Sequence, residues 1–230
     1  MFKWLQRLDP NSSGLAKMMR EFGHMIDDGQ HIFDAAANAF LGGTDPEVIR
    51  SDLFKTDKRI NHTEQKIRRE ILVHGTVYGA TELPVCLKLM SIVKDAERIG
   101  DYSKNLFDLA VLTQKSHDDD FYADLVELKD RISAMLRKAT SIYGSQDGEQ
   151  ARAFMREGDQ LQDHCDEKIE ALITSKSGSG EKAATALAYR YFKRVLAHSI
   201  NIISSVVMPL DQLDYLDEDK RTRLGDQGGK

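Results

Sequence analysis

The chain has 230 residues, of which 41% are hydrophobic, 30% charged and 7% aromatic, with only four prolines and two cysteines. This composition is typical of a folded globular protein and excludes a disordered, collagen-like or disulfide-rich chain. Basic residues number 32 against 37 acidic ones, and this net charge of -5 provides no general attraction to nucleic acid. No apolar run approaches the roughly 20 residues of a membrane span. We therefore expect a cytoplasmic protein without a membrane span.

Prolines and glycines divide the chain into six long helices. Pro46 follows Asp45, a good N-cap residue, and Pro84 stands two residues after Glu82, so both prolines indicate helix starts. The helices are predicted at residues 15–41, 46–74, 82–113, 118–143, 148–175 and 181–217. Strand patterns are absent and the connecting turns are short, which predicts an all-α protein with antiparallel neighbouring helices.

The chain also contains an internal repeat. At an offset of 102 positions, eight residues between 42 and 67 are identical to their counterparts between 144 and 169. At an offset of 96 the third helix matches the sixth. We predict two tandem antiparallel three-helix bundles at residues 15–115 and 116–217, with an N-terminal extension at 1–14 and a flexible tail at 218–230.

Carboxylates occupy positions in the apolar stripe of the second helix. With spacings of four and three, this stripe comprises Leu53, Asp57, Ile60, Glu64, Ile67 and Ile71. The corresponding stripe of the fifth helix is predicted to comprise Met155, Asp159, Gln162, Asp166, Ile169 and Ile173. Asn61 and Asp163 border the two stripes. Buried carboxylates must be protonated, paired with a base or bound to a metal, because an unpaired buried charge is costly.

The third helix supplies a second acidic pair, Glu97 and Asp101, which lie on one face because they are four residues apart. We expect this pair to face the polar positions of the second helix, Asp57, Asn61 and Glu64. Carboxylates from two helices form a recurring metal site, and oxygen ligands without His or Cys favour Mg2+, Mn2+, Ca2+ or iron. The alternative is that each acid reaches water or pairs with a nearby arginine.

The segment from Asp95 to Asn105, DAERIGDYSKN, closely resembles the signature of the PhoU family. The polar positions of the second helix resemble the family's other motif, and the tandem arrangement extends the resemblance over about residues 15–215. Some PhoU-family proteins bind mono- or multinuclear metal clusters through Glu/Asp-x-x-x-Asp motifs. The resemblance implies a site for Mg, Mn or Fe in the first bundle, with the ligands Glu97, Asp101, Asp57, Asn61 and Glu64.

The second repeat departs from the family's pattern. Asp159, Asp163 and Asp166 are retained, but the positions that match the acidic pair of the third helix carry Lys193 and Ala197. A lysine ammonium can neutralise the aspartates without a metal. We therefore expect a weaker, degenerate site in the second bundle.

PhoU-family proteins are cytoplasmic regulators of phosphate uptake that work with a phosphate ABC transporter and a membrane sensor histidine kinase. The resemblance implies the same role here, in phosphate-responsive signalling and without enzymatic activity. The alternatives are a metal-dependent hydrolase of phosphate esters and a metal-free helical adaptor. A homodimer and a peripheral membrane contact are compatible with the sequence.

The N-terminal residues Met1 to Leu8 form a short amphipathic run that contains Trp4, the only tryptophan of the chain. We interpret this run as a docking segment for its own bundle. Contact with a membrane surface or with a transporter is the alternative.

Overall fold

The computed structural model describes residues 14–113, 121–175 and 180–213, and within these ranges the chain forms long helices and no strands. The helices are α1 (Gly14–Phe40), α2 (Pro46–Tyr78), α3 (Leu83–Leu112), α4 (Tyr122–Ser145), α5 (Gly148–Thr174) and α6 (Gly180–Val207). Short 3-10 turns follow α2 and α6, at Gly79–Thr81 and Leu210–Gln212. The predicted all-α class is confirmed.

The second helix of each repeat, α2 or α5, begins with the same type of N-cap. Oδ1 of Asp45 accepts a hydrogen bond from the backbone N–H of Glu47 at 2.9 Å, ahead of α2. At the equivalent place before α5, Oδ1 of Asp147 accepts from the backbone N–H of Glu149, also at 2.9 Å. Each cap satisfies an N–H group that has no partner within the helix. The predicted starts of both helices are confirmed.

The predicted end of the sixth helix is wrong. The sequence pattern extends this helix to residue 217, whereas α6 ends at Val207. Met208 precedes Pro209, which has no N–H to donate and whose ring disfavours a helical conformation at the preceding residue. Lys88 of α3 then satisfies carbonyl groups at this end, since its Nζ donates to the oxygens of Ser205 at 2.9 Å and Met208 at 2.6 Å.

The six helices pack as two antiparallel three-helix bundles that share a core, as predicted. α1, α2 and α3 contact one another, as do α4, α5 and α6, and the bundles meet where α3 packs on α6 and α1 on α4. Aromatic rings connect them: Phe33 of α1 lies edge-on to Phe192 of α6 with centroids 5.4 Å apart, and Phe22 of α1 to Tyr143 of α4 at 5.0 Å. The first bundle therefore cannot move far without disturbing the second.

Residues 1–13, 114–120, 176–179 and 214–230 lie outside the described ranges. The N-terminal extension, the tail and the boundary between residues 115 and 116 therefore stay predictions. Among the helices that the structure describes, none combines the length and the apolar character needed to cross a membrane.

Candidate functional site

The predicted stripe of α2 is buried along its whole length. Its apolar members are at most 5% exposed, and the carboxylates Asp57 and Glu64 are 7% and 8% exposed. Asn61 borders the stripe, and its Nδ2 donates to Oδ2 of Asp57 at 3.3 Å. Two carboxylates therefore lie in the interior at positions that normally carry apolar side chains.

Lys104 of α3 connects the acids of the two helices. Its Nζ lies 2.9 Å from Oδ1 of Asp57 and 2.9 Å from Oδ1 of Asp101. Burial disfavours the ammonium form, but the contacts with the two aspartates outweigh this effect and raise the pKa of Lys104. Lys104 was not predicted as a member of the site, although its position three residues after Asp101 places both on one helix face.

Glu97 of α3 is only 9% exposed, and its Oε2 lies 2.7 Å from Nζ of Lys94. Burial raises the pKa of Glu97; the Lys94 ammonium opposes this shift, and the charges of Asp101 and Glu64 add to it. Glu64 in turn lies 3.0 Å from Nη2 of Arg68. The acids of α2 and α3 therefore lie close enough to act on one another's charge.

We refer to the carboxylates of this face as the acidic cluster, which comprises Asp57, Glu64, Glu97 and Asp101. Two of its oxygens, Oδ1 of Asp57 and Oε2 of Glu97, are fully buried and accept no aligned hydrogen bond. Each lies near a lysine ammonium, but neither contact has the alignment of a hydrogen bond. A carboxylate oxygen has two lone pairs, so each of these atoms can bind a further ligand in addition to its lysine.

The carboxylate oxygens of the acidic cluster are ligands that a hard cation prefers, and their total charge is negative. The four carboxylates face three bases, Lys94, Lys104 and Arg68, which leaves one negative charge uncompensated. In the arrangement that the structure describes for its residues, however, no three His, Cys, Asp or Glu side chains are grouped closely enough to hold a metal ion. A cation would therefore bind only if a lysine ammonium moved away.

The predicted stripe of α5 is wrong in its second half. Asp166 is exposed, Ile173 is 73% exposed, and Asp163, which borders the stripe, is also exposed. The buried face instead comprises Gly148, Ala151, Phe154, Met155, Gly158, Leu161, Gln162, Cys165 and Leu172. This face includes small residues, among them Gly158, and so differs from the stripe that the comparison with α2 predicts.

The acids of α5 therefore do not form a counterpart of the acidic cluster, in which Asp57, Glu64 and Glu97 are buried. Asp159 is half-buried, while Asp166 lies 2.5 Å from Nζ of Lys193 on α6. Lys193 is the residue that replaces Glu97 in the second repeat. The ammonium group of Lys193 thus neutralises the charge of Asp166 without a metal.

A polar cluster that the sequence analysis missed lies around Asp124 of α4. Asp124 accepts hydrogen bonds from Tyr189 at 2.6 Å and from His164 at 2.9 Å, and Lys168 lies 2.9 Å away. Burial opposes ionisation of this carboxyl, but Tyr189, Lys168 and His164 together lower the pKa of Asp124. Asp124 lies in the first turn of α4, and the sequence pattern there does not predict its partners on α5 and α6.

A second missed polar cluster joins the two bundles. Asp95 of α3 and His198 of α6 are 6% and 2% exposed, with Nδ1 of His198 2.7 Å from Oδ1 of Asp95. Nδ2 of Asn201 donates to the same oxygen at 3.1 Å. Nη2 of Arg194 lies 3.1 Å from Nε2 of His198. Because a guanidinium can only donate, Nε2 accepts, and Nδ1 carries the proton that His198 donates to Asp95.

These residues line a cleft of about 380 Å³ between α3, α5 and α6. Arg194 also packs over the ring of Tyr102, and its Nε donates to the Tyr102 hydroxyl at 3.1 Å. Such pairing between distant positions leaves no spacing signal in the sequence. The cleft adjoins the acidic cluster through α3, which contributes residues to both.

Comparison with protein families gives a match over the first bundle. Residues 22–110 match the PhoU domain. The matched segment runs from within α1 to the last turn of α3 and therefore contains the whole acidic cluster. No curated protein sequence matches the chain.

Solved structures of PhoU proteins share the fold. The crystal structure of the phosphate transport system regulatory protein PhoU from Streptococcus pneumoniae has a TM-score of 0.73 at 15% identity, covering 84% of this chain and 93% of that chain. For the crystal structure of PhoU from Pseudomonas aeruginosa the TM-score is 0.68 at 18% identity, covering 89% of this chain and 97% of that chain. Residues 22–110 therefore match the PhoU domain, and the chain has the fold of the PhoU proteins.

Proposed function

We propose that this protein is a cytoplasmic regulator of phosphate transport that acts by binding other proteins. The observation that carries the proposal is the PhoU domain match, which falls on the three helices that hold the acidic cluster. The structurally similar Streptococcus pneumoniae protein is described as a phosphate transport system regulatory protein. The partners that we propose are the ATPase of a phosphate ABC transporter, a membrane sensor histidine kinase, or both.

A regulatory role is favoured over hydrolysis of phosphate esters. Catalysis by a bound metal needs an open coordination position for water or substrate. In the structure, lysine ammonium groups instead lie against Asp57, Asp101 and Glu97. Such pairing is compatible with a protein whose charge state or cation content alters its contacts with a partner.

The experiment that tests the regulatory role is purification of the tagged full-length protein from phosphate-replete and phosphate-starved cells, followed by mass spectrometry. We expect a phosphate-transporter ATPase or a sensor kinase to be recovered, in amounts that differ between the two conditions. Recovery of neither protein in either condition would contradict the proposal. Tagged protein produced in cells that lack the transporter genes is the control for non-specific capture.

We further propose that the acidic cluster binds a hard divalent cation, Mg2+, Mn2+ or iron, through Glu97, Asp101, Asp57, Asn61 and Glu64. The support is the uncompensated negative charge and the two buried oxygens, on Asp57 and Glu97, that lack an aligned donor. The acids of the second bundle, Asp159, Asp163 and Asp166, are expected to bind more weakly or not at all.

The cation proposal is tested by titration calorimetry with Mn2+ on the full-length protein. The double variant Glu97→Gln/Asp101→Asn removes two charges of the cluster, and we expect it to abolish binding. The matched control, Asp52→Asn/Asp130→Asn, removes two exposed charges outside both candidate sites and should leave binding unchanged. If wild type and the first variant bind Mn2+ equally, the cluster is not the site. If the protein binds its partners but does not bind Mn2+ through the cluster, it acts as a metal-free adaptor.

A further inference from the structure

One end of the first bundle exposes an apolar patch. Where α2 ends and α3 begins, apolar side chains at four positions of α2 are between 59% and 68% exposed, and two of α3 are 43% and 44% exposed. We call this the end patch; it comprises Leu72, Val73, Val77, Tyr78, Leu83 and Leu87. Apolar side chains concentrated in this way typically mark a surface that is covered by another segment or protein.

The described chain begins beside the end patch. A β-carbon added at Gly14, the first residue of α1, would lie 3.1 Å from Nδ1 of His74. The ring of His74 in turn stacks on the ring of Tyr78, with centroids 4.4 Å apart. One turn into α1, Nζ of Lys17 lies 3.4 Å from Oε1 of Glu70. The residues that precede Gly14 therefore join the structure next to Tyr78.

The preceding 13 residues have the composition of a segment that covers such a patch. Among the first eight, apolar residues alternate with Lys3, Gln6 and Arg7. The apolar ones are Met1, Phe2, Trp4, Leu5 and Leu8. A segment this short does not form a stable helix alone in water, so it needs a surface on which to fold. Thirteen extended residues reach about 40 Å, several times the length of the last two turns of α2.

We propose that residues 2–8 of this chain bind to the end patch and bury Phe2, Trp4, Leu5 and Leu8 against it. The contact is within one molecule, because the segment's attachment point lies beside the patch and gives it a high effective concentration there. This contact buries apolar side chains on both sides. The amphipathic segment gains an apolar surface, and the exposed side chains of α2 and α3 in the end patch leave water.

Trp4 permits a direct test, since it is the only tryptophan among the 230 residues of the chain. We expect its fluorescence emission in the native protein to be blue-shifted and less accessible to acrylamide than in the urea-unfolded protein. The variant Val73→Asp/Val77→Asp places charges on the end patch and should shift both readings towards the unfolded values. The control is Val48→Asp, at a 74% exposed valine near the opposite end of the same helix, and it should change neither reading.

Circular dichroism verifies that each variant keeps its helices, which is expected because all three valines are exposed. The proposal is overturned if Trp4 in the native protein is as accessible as in the unfolded chain, or if the patch variant leaves its emission unchanged. It is also overturned if the blue shift appears only after addition of anionic lipid vesicles, which would indicate a membrane-binding segment. A blue shift that disappears on dilution would likewise contradict it, because the contact would then join two molecules.

Discussion

At the scale of single residues, Glu97 is the most informative position. Burial and the nearby charges of Glu64 and Asp101 raise the pKa of its carboxyl, with only Lys94 opposing them. The ionised side chain therefore weakens the fold at neutral pH. Residues that reduce stability are typical of functional sites, because a site's charge is set by its ligand or partner and not by the fold.

We predict that Glu97→Gln increases the free energy of unfolding at neutral pH. The folded protein binds the Glu97 proton more tightly than the unfolded chain does, so wild-type stability falls as the pH rises from the ordinary carboxyl pKa of 4.5 through the raised pKa. Glutamine removes this penalty. Urea unfolding at several pH values should show a gain at pH 7 that shrinks below pH 4.5.

The comparison variant is Glu47→Gln at the start of α2. Its hydrogen bond with Arg50 lowers the pKa of Glu47, so the same substitution there should bring no gain in stability at neutral pH. If Glu97→Gln instead lowers stability at pH 7, as expected for the loss of a simple ion pair with Lys94, then the ionised Glu97 carboxylate does not destabilise the fold.

At the scale of helices, α5 and α6 depend on a glycine for their close approach. A β-carbon at Gly158 of α5 would lie 2.7 Å from Cδ1 and 2.8 Å from Cγ1 of Ile200 on α6, well inside van der Waals contact. The glycine therefore has a packing role, although it lies in the interior of a helix, where glycine is usually unfavourable.

Gly158→Ala should destabilise the protein by about 1–3 kcal/mol, because the added methyl group forces α5 and α6 apart. The matched control is Gly144→Ala in α4, where a β-carbon has no other atom within 4 Å. At this open helical position alanine should be neutral or stabilising by up to about 1 kcal/mol. Equal free energies of unfolding for the two variants in urea would show that the α5–α6 contact is not close.

The helices also show how far sequence patterns predict the site. Asp57 and Glu64 were predicted correctly as buried because they interrupt a stripe of large apolar residues with regular spacing. In α5 the same reasoning predicted Asp166 as buried, and it is exposed. The buried face there uses Gly158 and Cys165, and small residues of this kind carry little weight in a hydrophobic pattern.

At the scale of the whole molecule, Asp95 and His198 join the two bundles. They are 103 positions apart in the chain and nearly fully buried in the interface between α3 and α6. Neither residue stood out as a site in the sequence, since their pairing arises only when the bundles pack. The polar junction gives the interface between α3 and α6 a defined register, because each buried donor needs its partner.

Asp95→Ala should cost about 2–3 kcal/mol of unfolding free energy, because it leaves the N–H groups of the buried His198 and the half-buried Asn201 without this acceptor. The control, Asp108→Ala, removes an exposed aspartate from the same helix and should change stability by less than about 0.5 kcal/mol. Thermal unfolding followed by circular dichroism distinguishes the two. A loss for Asp95→Ala no larger than that of the control would show that the junction contributes nothing to stability.

The central claim, that this protein regulates phosphate transport, is tested most directly by phosphate uptake in cells from which its gene has been deleted. Uptake of radiolabelled phosphate is measured after growth in phosphate-rich and phosphate-poor medium, with the wild-type gene supplied in trans as the control. We predict that deletion abolishes the difference in uptake between the two media and that the wild-type gene restores it. An unchanged difference in the deletion strain would contradict the account.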